Sequence, residues 1–514
     1  MNPNGNRRLA INLLANIVSY STNILIAFIL TPYLINTLGK ETYSFYPIAN
    51  NFVAYMAILT TALNSMAGRF VTVSIVKGYM EDARYFVSSV LFSNIIMGMF
   101  LLLPMSAIII FIDRIMDVPL NIVAAVRILF SFVFASMLIQ IFSSVLGVAT
   151  FVRNRIDLRS AMQLTSGILK IILFYALFKF FSPTIVYVGV VAFIVAISEF
   201  LFQRFYFKRL LPEIKISQRY FSVSHVKTVL SSGCWNSVNS IGNLLLVSSS
   251  LIMANILYGA ASGGIYSIVN TVPLFINGVI SMLVGVFAPS ITYSFASGRK
   301  SELVHTVEKS QAMIGMFACS VIVVFVCLCN RFFQLWTPSE DADLLSKLSF
   351  ITIMPHFFIG CLWPLTNLNM AANKVAKPAL VQLALGVINI IMVVLLSRMF
   401  HTGLMTISAV CSFLTVALVL GFMPLYTSYY LKISYATFYK VVLRMMLSAL
   451  FLIVLFFAVG SQLALDNWFR LLGTGVLMGI VALSVNFMII LNKTTRQRIL
   501  SKITKRLRYD IRHI

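Results

Sequence analysis

Apolar runs longer than about 18 residues, each enough to cross a bilayer as a helix, follow one another along the whole chain with short polar breaks between them. They predict fourteen spans, near residues 9–38, 42–76, 85–112, 119–150, 160–182, 184–207, 228–258, 260–295, 310–333, 346–372, 378–400, 403–431, 441–463 and 469–492. The first follows Arg7 and Arg8 as a signal peptide would, but it continues to Leu38 and is too long for a cleavable apolar region. It is expected to be retained as a span. The longest connection, around Lys208 to Lys227, is basic and leaves no room for a soluble catalytic domain. The expected fold is an all-α polytopic membrane protein. Residues 1–222 form a lobe of six spans with the basic linker, residues 223–431 a second lobe of six, and residues 432–514 two extra helices with a basic tail.

Polar positions inside the spans repeat. Shifted by 220 residues, Asn16, Asn23, Gly39, Tyr46, Asn50, Thr72, Ser74 and Gly78 fall without a gap on Asn236, Asn243, Gly259, Tyr266, Asn270, Thr292, Ser294 and Gly298. Coincidence among leucines would mean little, but these are mostly polar residues and glycines in an apolar background, so we read an internal duplication. An even number of spans per copy gives both copies the same direction through the membrane, and hence a pseudo-two-fold axis along its normal with a site between the lobes. Within the first spans of the two copies, Asn12, Asn16, Ser19 and Asn23, and Ser232, Asn236, Asn239 and Asn243, each lie on one helical face. Such stripes suit two opposing walls of a cavity. They also suit polar glue between packed helices, where each hydrogen bond is worth roughly 0.5–2 kcal/mol. Asn16, Asn23, Asn50, Asn236, Asn243 and Asn270 are the candidate cleft-lining residues.

Composition agrees with a membrane protein, at 60% hydrophobic and 11% charged residues, and the net charge of +24 then needs an explanation. With the N-terminus inside, the predicted topology places 29 of the 39 Lys and Arg residues on the cytoplasmic side and 7 on the other, while acidic residues divide evenly. A bias confined to basic residues is the positive-inside signature and excludes a nucleic-acid surface as the source of the charge. Both termini are expected in the cytoplasm. The six cysteines lie in or beside apolar segments and read as packing residues, with neither a disulfide nor a metal site indicated.

Charge inside the spans carries the functional signal, because an ionisable group at membrane depth persists where it faces water or a partner. Arg69, Lys170 and Arg127 are the candidate cationic residues of a cleft. Arg127, like Lys179, lies near the outer end of its span, where snorkelling to the interface is the competing role. Arg69 lies about two turns from the cytoplasmic end of its span, with the same alternative. Lys170 lies near the midplane, and Glu199 at comparable depth on the next antiparallel helix could pair with it. Glu199 and His356 are candidates for coupling to an ion, H+ or Na+, the only cofactor this reading calls for. Several cations against one deep carboxylate favour an anionic cargo.

Pro32, the run Leu38-Gly39-Lys40-Glu41-Thr42-Tyr43-Ser44, Arg69-Phe70-Val71 before a polar turn, and Ala372-Asn373-Lys374-Val375-Ala376-Lys377-Pro378 followed by Asn389 resemble the Wzx-type polysaccharide flippases. These form the polysaccharide, or O-antigen, branch of the multidrug/oligosaccharidyl-lipid/polysaccharide exporter superfamily. Ser44 and Asn373 depart from the family, which usually has Gly at each position. The resemblance implies alternating access and transfer of an undecaprenyl-pyrophosphate-linked oligosaccharide, a repeat unit of lipopolysaccharide O-antigen, capsule or exopolysaccharide, from the inner to the outer leaflet of a bacterial inner membrane. It also implies a monomer, not an enzyme, working beside a glycan polymerase and a chain-length regulator. Two other readings compete. A drug or organic-cation antiporter of the same superfamily would need cavity carboxylates, of which Glu199 is the one deep candidate. A membrane-embedded glycan polymerase or glycosyltransferase would need a large outer loop or an acidic metal-binding loop. Glu340, Asp341 and Asp343 come nearest to the latter, but they occupy a short outer turn.

Overall fold

A chain in hydrocarbon must satisfy every backbone N–H and C=O internally, and this one does so with helices alone. The computed structural model describes residues 3–501 apart from 154, 297, 401–402, 461–465, 494 and 498–500, and no strand occurs among them. The long helices are α1 (Pro3–Leu38), α2 (Lys40–Val76), α3 (Met80–Ile110), α4 (Val123–Leu146), α5 (Ile156–Phe180), α6 (Val186–Leu210), α7 (Val223–Asn243) and α8 (Ser249–Ala296). They continue with α9 (Lys300–Trp336), α10 (Ala342–Ala371), α11 (Ala376–Phe400), α12 (Leu404–Val416), α13 (Met423–Leu431), α14 (Tyr439–Gly460) and α15 (Trp468–Ile489). A π-helical segment, Leu244–Ser248, joins α7 to α8, and another, Ala417–Phe422, joins α12 to α13.

Twelve segments among the described residues are long and apolar enough to span a membrane. One of them, Gly233–Gly285, has 53 residues, twice the length a crossing needs, and is broken at Gly259. Counting it as two crossings and adding the 37-residue α2 gives the fourteen expected from the sequence.

The duplication is visible in the backbone. Gly39 (φ 82°, ψ 150°) and Gly259 (φ 86°, ψ 170°) both lie in a region open essentially to glycine alone. Gly78 (φ 80°) and Gly298 (φ 71°) then follow α2 and α8 in left-handed conformation. Asn373, where the resembling family usually has Gly, sits at φ 55°; its N–H and that of Lys374 bond back to Met370 O and Asn369 O. Asparagine is the residue that tolerates this conformation best after glycine, so the departure leaves the turn intact.

The chain forms two compact units, Met1–Ser267 with Ala379–Leu404, and Ile268–Pro378 with Met405–Ile514. In the first, Leu63, Ala67 and Val71 of α2 pack with Val87 and Val90 of α3, Val145 of α4, Phe207 of α6 and Val229 of α7. In the second, Met316, Cys319 and Val323 of α9 pack with Cys361 and Leu365 of α10, Met445 and Leu452 of α14, and Met478 and Ala482 of α15. Between membrane helices small residues permit close approach. A Cβ on Gly242 of α7 would lie 2.7 Å from Leu383 N of α11, and one on Gly386 of α11 would lie 2.9 Å from Gly242 O.

Candidate functional site

Three helices of the first unit turn polar faces toward one another. On α4 these are Gln140, Ser143 and Ser144, with Gly147 at its C-cap, and on α6 Glu199, Phe202, Gln203 and Tyr206, each set spaced i, i+3, i+4, i+7. Arg159, Met162 and Gln163 of α5 complete a pocket of about 370 Å³. Each carboxamide brings two N–H donors and an acceptor oxygen, so the pocket offers hydrogen bonds of both senses around one carboxylate and one guanidinium. Gly147 admits the side chain of Gln203, whose Oε1 would lie 3.0 Å from a Cβ at that position. Phe202 and Tyr206 hold each other with ring centroids 4.6 Å apart.

The walls are braced from behind. Ser19 of α1, fully buried, donates to Gln163 Oε1 at 3.0 Å. Ser144 donates to Asn64 Oδ1 of α2 at 3.1 Å, and the fully buried Asn94 of α3 donates to the same oxygen at 2.9 Å and to Ile141 O at 3.1 Å. Of the stripe on α1, therefore, Ser19 packs against α5. Asn23 is exposed and donates to Ser19 O at 2.9 Å. The side chain of Asn16 lies outside the described residues.

Glu199 is half-buried on the pocket wall. No ion pair joins it to Lys170 among the described residues. Lys170 lies two turns beyond Gln163 on the same face of α5, the face that also carries Gly167 against Asn23 and Ile26 of α1. It is half-buried, roughly 15–20 Å from either end of its span at the helical rise, and forms no hydrogen bond or ion pair with the described residues. Arg69 is exposed, two turns from the end of α2. Arg127 is engaged at the opposite membrane end: its guanidinium bonds Asp113 Oδ1 at 2.8 Å and Ile110 O at 2.9 Å. That hydrogen bond holds the Asp113 carboxyl below the usual carboxylate range.

Among the asparagines, Asn50 is exposed and donates to Tyr46 O at 3.0 Å, and Asn243 is exposed, while Asn236 and Asn270 are half-buried. Asn51, next to Asn50, donates to Ser248 O at 3.0 Å, and Asn389 to Leu245 O at 3.2 Å, so two carbonyls of the π-helical segment Leu244–Ser248 find side-chain donors. His356 of α10 is buried in the second unit, with Nε2 2.9 Å from Asn277 Nδ2 and Nδ1 3.2 Å from Thr352 O. Only the neutral ring with its proton on Nδ1 satisfies both partners. One feature beyond the end of α3 escaped the sequence reading: Asp117 accepts from Ala260 N at 3.2 Å and its own N–H donates to Asn255 Oδ1 at 3.2 Å. It thus caps the helix that begins after Gly259.

A fold of this kind, with amides and ionisable groups at membrane depth, sits on a chain whose residues 9–295 match the family model described as "Polysaccharide biosynthesis protein". The chain belongs to that family. The "Uncharacterized membrane protein EpsK" of Bacillus subtilis (strain 168) is 27% identical over 506 residues, covering 97% of this chain and 98% of that protein. Among solved structures, the lipid II flippase MurJ in an inward closed conformation aligns with TM-score 0.64 at 14% identity, over 93% of this chain and 98% of that one. An inward-facing multidrug resistance MATE family transporter of the MOP superfamily aligns with TM-score 0.60 at 17% identity, over 83% and 97%. At such identities the likeness is one of fold. It agrees with the resemblance to the polysaccharide branch of that superfamily that the sequence motifs carry.

Proposed function

We propose that this membrane protein of the polysaccharide biosynthesis family is a flippase. Its cargo is an undecaprenyl-pyrophosphate-linked oligosaccharide, carried by alternating access from the inner to the outer leaflet of a bacterial inner membrane, with both termini of the protein in the cytoplasm. The observation that carries the reading is Lys170, an ammonium in the middle of a span with no described counter-charge. A cation held at that depth fits a cargo that brings its own negative charge. Arg69 stands nearer the end expected to face the cytoplasm, where a diphosphate head group would enter, and its planar fork can bond two phosphate oxygens at once. The carboxamide-rich pocket around Glu199 supplies hydrogen-bonding surface and the carboxylate proposed for ion coupling. A glycan polymerase and a chain-length regulator are the proposed neighbours in the pathway.

The test is a deletion strain complemented by variants, scored for surface glycan and for lipid-linked glycan retained on the cytoplasmic leaflet, with membrane abundance followed by immunoblot. Lys170→Gln and Arg69→Ala should each abolish or severely reduce export at normal abundance. Arg69→Glu should be worse, and Arg69→Lys should keep part of the activity. Snorkelling predicts instead that Lys restores Arg69 in full. Normal export by both Lys170→Gln and Arg69→Ala would remove the cationic pathway.

A further inference from the structure

The second unit carries a groove unlike the polar pocket of the first. About 700 Å³ in volume, it runs between α9 and α15, with Met316 and Phe317 on one wall and Leu483 and Phe487 on the other. Lys493 and Arg496, just beyond the end of α15, close one end of it. Its floor is fixed by Asn486, fully buried, which donates to Ser320 Oγ at 2.8 Å and Met316 O at 3.4 Å and accepts from Ser448 of α14 at 2.6 Å. Three helices are therefore tied together under the apolar walls. Asn492 at the basic end is held by Arg444 and in turn accepts from Arg496 N at 3.0 Å.

We propose that this groove is a binding site for an anionic phospholipid, one acyl chain lying along α9 and α15 and the phosphate seated between Lys493 and Arg496. Neither cation forms an ion pair among the described residues, and Arg496 Nε is buried without a hydrogen-bond partner there. A phosphate oxygen satisfies such a donor; a zwitterionic head group would bring its own cation against the two already present. The volume lies within the range of about 300–1,000 Å³ typical of small-molecule sites. Basic pockets between membrane helices at the interface select anionic head groups, each Lys or Arg contributing several-fold in affinity. In the topology expected from the sequence Lys493 and Arg496 face the cytoplasm, so the lipid would come from that leaflet. Such a lipid would brace α15 against α9.

The test uses the full-length protein in nanodiscs of phosphatidylcholine doped with phosphatidylglycerol bearing a photoreactive acyl chain, with crosslinks mapped to peptides. Crosslinks should concentrate on the peptides holding Met316 and Phe317 and those holding Leu483 to Met488. Excess unlabelled phosphatidylglycerol should suppress them, and phosphatidylcholine should not. Lys493→Gln with Arg496→Gln should weaken the labelling roughly thirty-fold. Leu483→Trp, which fills the groove and keeps the cations, should also lose it, and this variant decides the matter if the double variant does not fold. Labelling equally well competed by phosphatidylcholine, or crosslinks spread over other helices, would overturn the proposal. So would suppression by a polyprenyl phosphate alone, which would assign the groove to the cargo's tail.

Discussion

The contact between α2 and α7 makes a quantitative demand on one residue. A Cβ added at Gly233 would lie 2.8 Å from the carbonyl carbon and 2.9 Å from the Cα of Ala62, and nearest of all to the Ala62 oxygen. Carbon atoms in good contact sit about 3.5–4.0 Å apart, and the atoms in the way are backbone, which cannot rotate aside. In Gly233→Ala the two helices would have to separate by roughly 1 Å. That movement strains Ser237 Oγ to Ile58 O, one turn along at 3.2 Å, and Asn51 to Ser248 O at 3.0 Å. Overpacking of this kind costs about 1–3 kcal/mol, and each membrane hydrogen bond weakened adds about 0.6 kcal/mol. The gain in helix propensity from Gly to Ala, about 1 kcal/mol, opposes it. A net loss of about 1–2 kcal/mol is expected. Gly285 is the internal control: a Cβ there meets nothing within 4 Å, so Gly285→Ala should be neutral or slightly stabilising. Thermal unfolding of the detergent-purified proteins, followed with a thiol-reactive dye, separates the two. Equal midpoints for Gly233→Ala and Gly285→Ala would refute the close approach.

Three further outcomes follow from other parts of the molecule. Glu199→Gln should leave the protein folded and inserted while making export in vesicles insensitive to an imposed proton or sodium gradient; a gradient response equal to wild type would take Glu199 out of coupling. Asp117→Ala removes the carboxylate that caps the helix after Gly259 and should cost about 0.5–2 kcal/mol, as other helix caps do, with Asp117→Asn recovering part of it in the same unfolding assay. The Asp113 carboxyl, lowered by its bond to Arg127, stabilises the fold above the unfolded carboxyl value near about 4 and loses that contribution as pH falls through the folded value. The gap in unfolding midpoint between wild type and Asp113→Asn should therefore hold from neutral pH down to about 5 and close below it; a gap that widens on acidification would contradict the pairing.

Much of the fold was legible because membrane helices announce themselves by length and composition, and because the repeat is written in glycines at positive φ, two of them, Gly39 and Gly259, in a region essentially closed to other residues. The polar pocket was not seen, although its signal stood in the chain. Gln140, Ser143, Ser144 and Gly147 form a helical stripe, as do Glu199, Phe202, Gln203 and Tyr206, but at the 220-residue offset only Phe202 and Tyr206 recur, as Phe422 and Tyr426, and the polar members do not. Arg159 lies so near the start of α5 that it reads as one more positive-inside charge. Partners set by helix rotation were equally hidden. Depth alone brought Lys170 and Glu199 to the same level, whereas contact also depends on place along the helix: Lys170 lies two turns beyond Gln163, outside the set of residues that line the pocket with Glu199. Asp113, the partner of Arg127, belongs to a short helical turn, Ile112–Ile115, where spacing along a span gives no guidance.

The two copies of the repeat also separate what the fold requires from what it merely tolerates. Where backbone geometry dictates the residue, the copies agree: Gly39 with Gly259, and Gly78 with Gly298, in nearly the same conformations. Where charge is concerned they part. The position in the second copy that corresponds to Arg69 is Pro289, inside the helix that follows Gly259, so the fold at this place forms without a guanidinium. An arginine in a span carries a free-energy cost of about 2.5–3.5 kcal/mol by insertion scales, lowered by access to water. A residue that its counterpart in the repeat does without is not one that the fold requires. That asymmetry supports the proposal that Arg69 acts on the cargo, on grounds independent of any resemblance to other proteins.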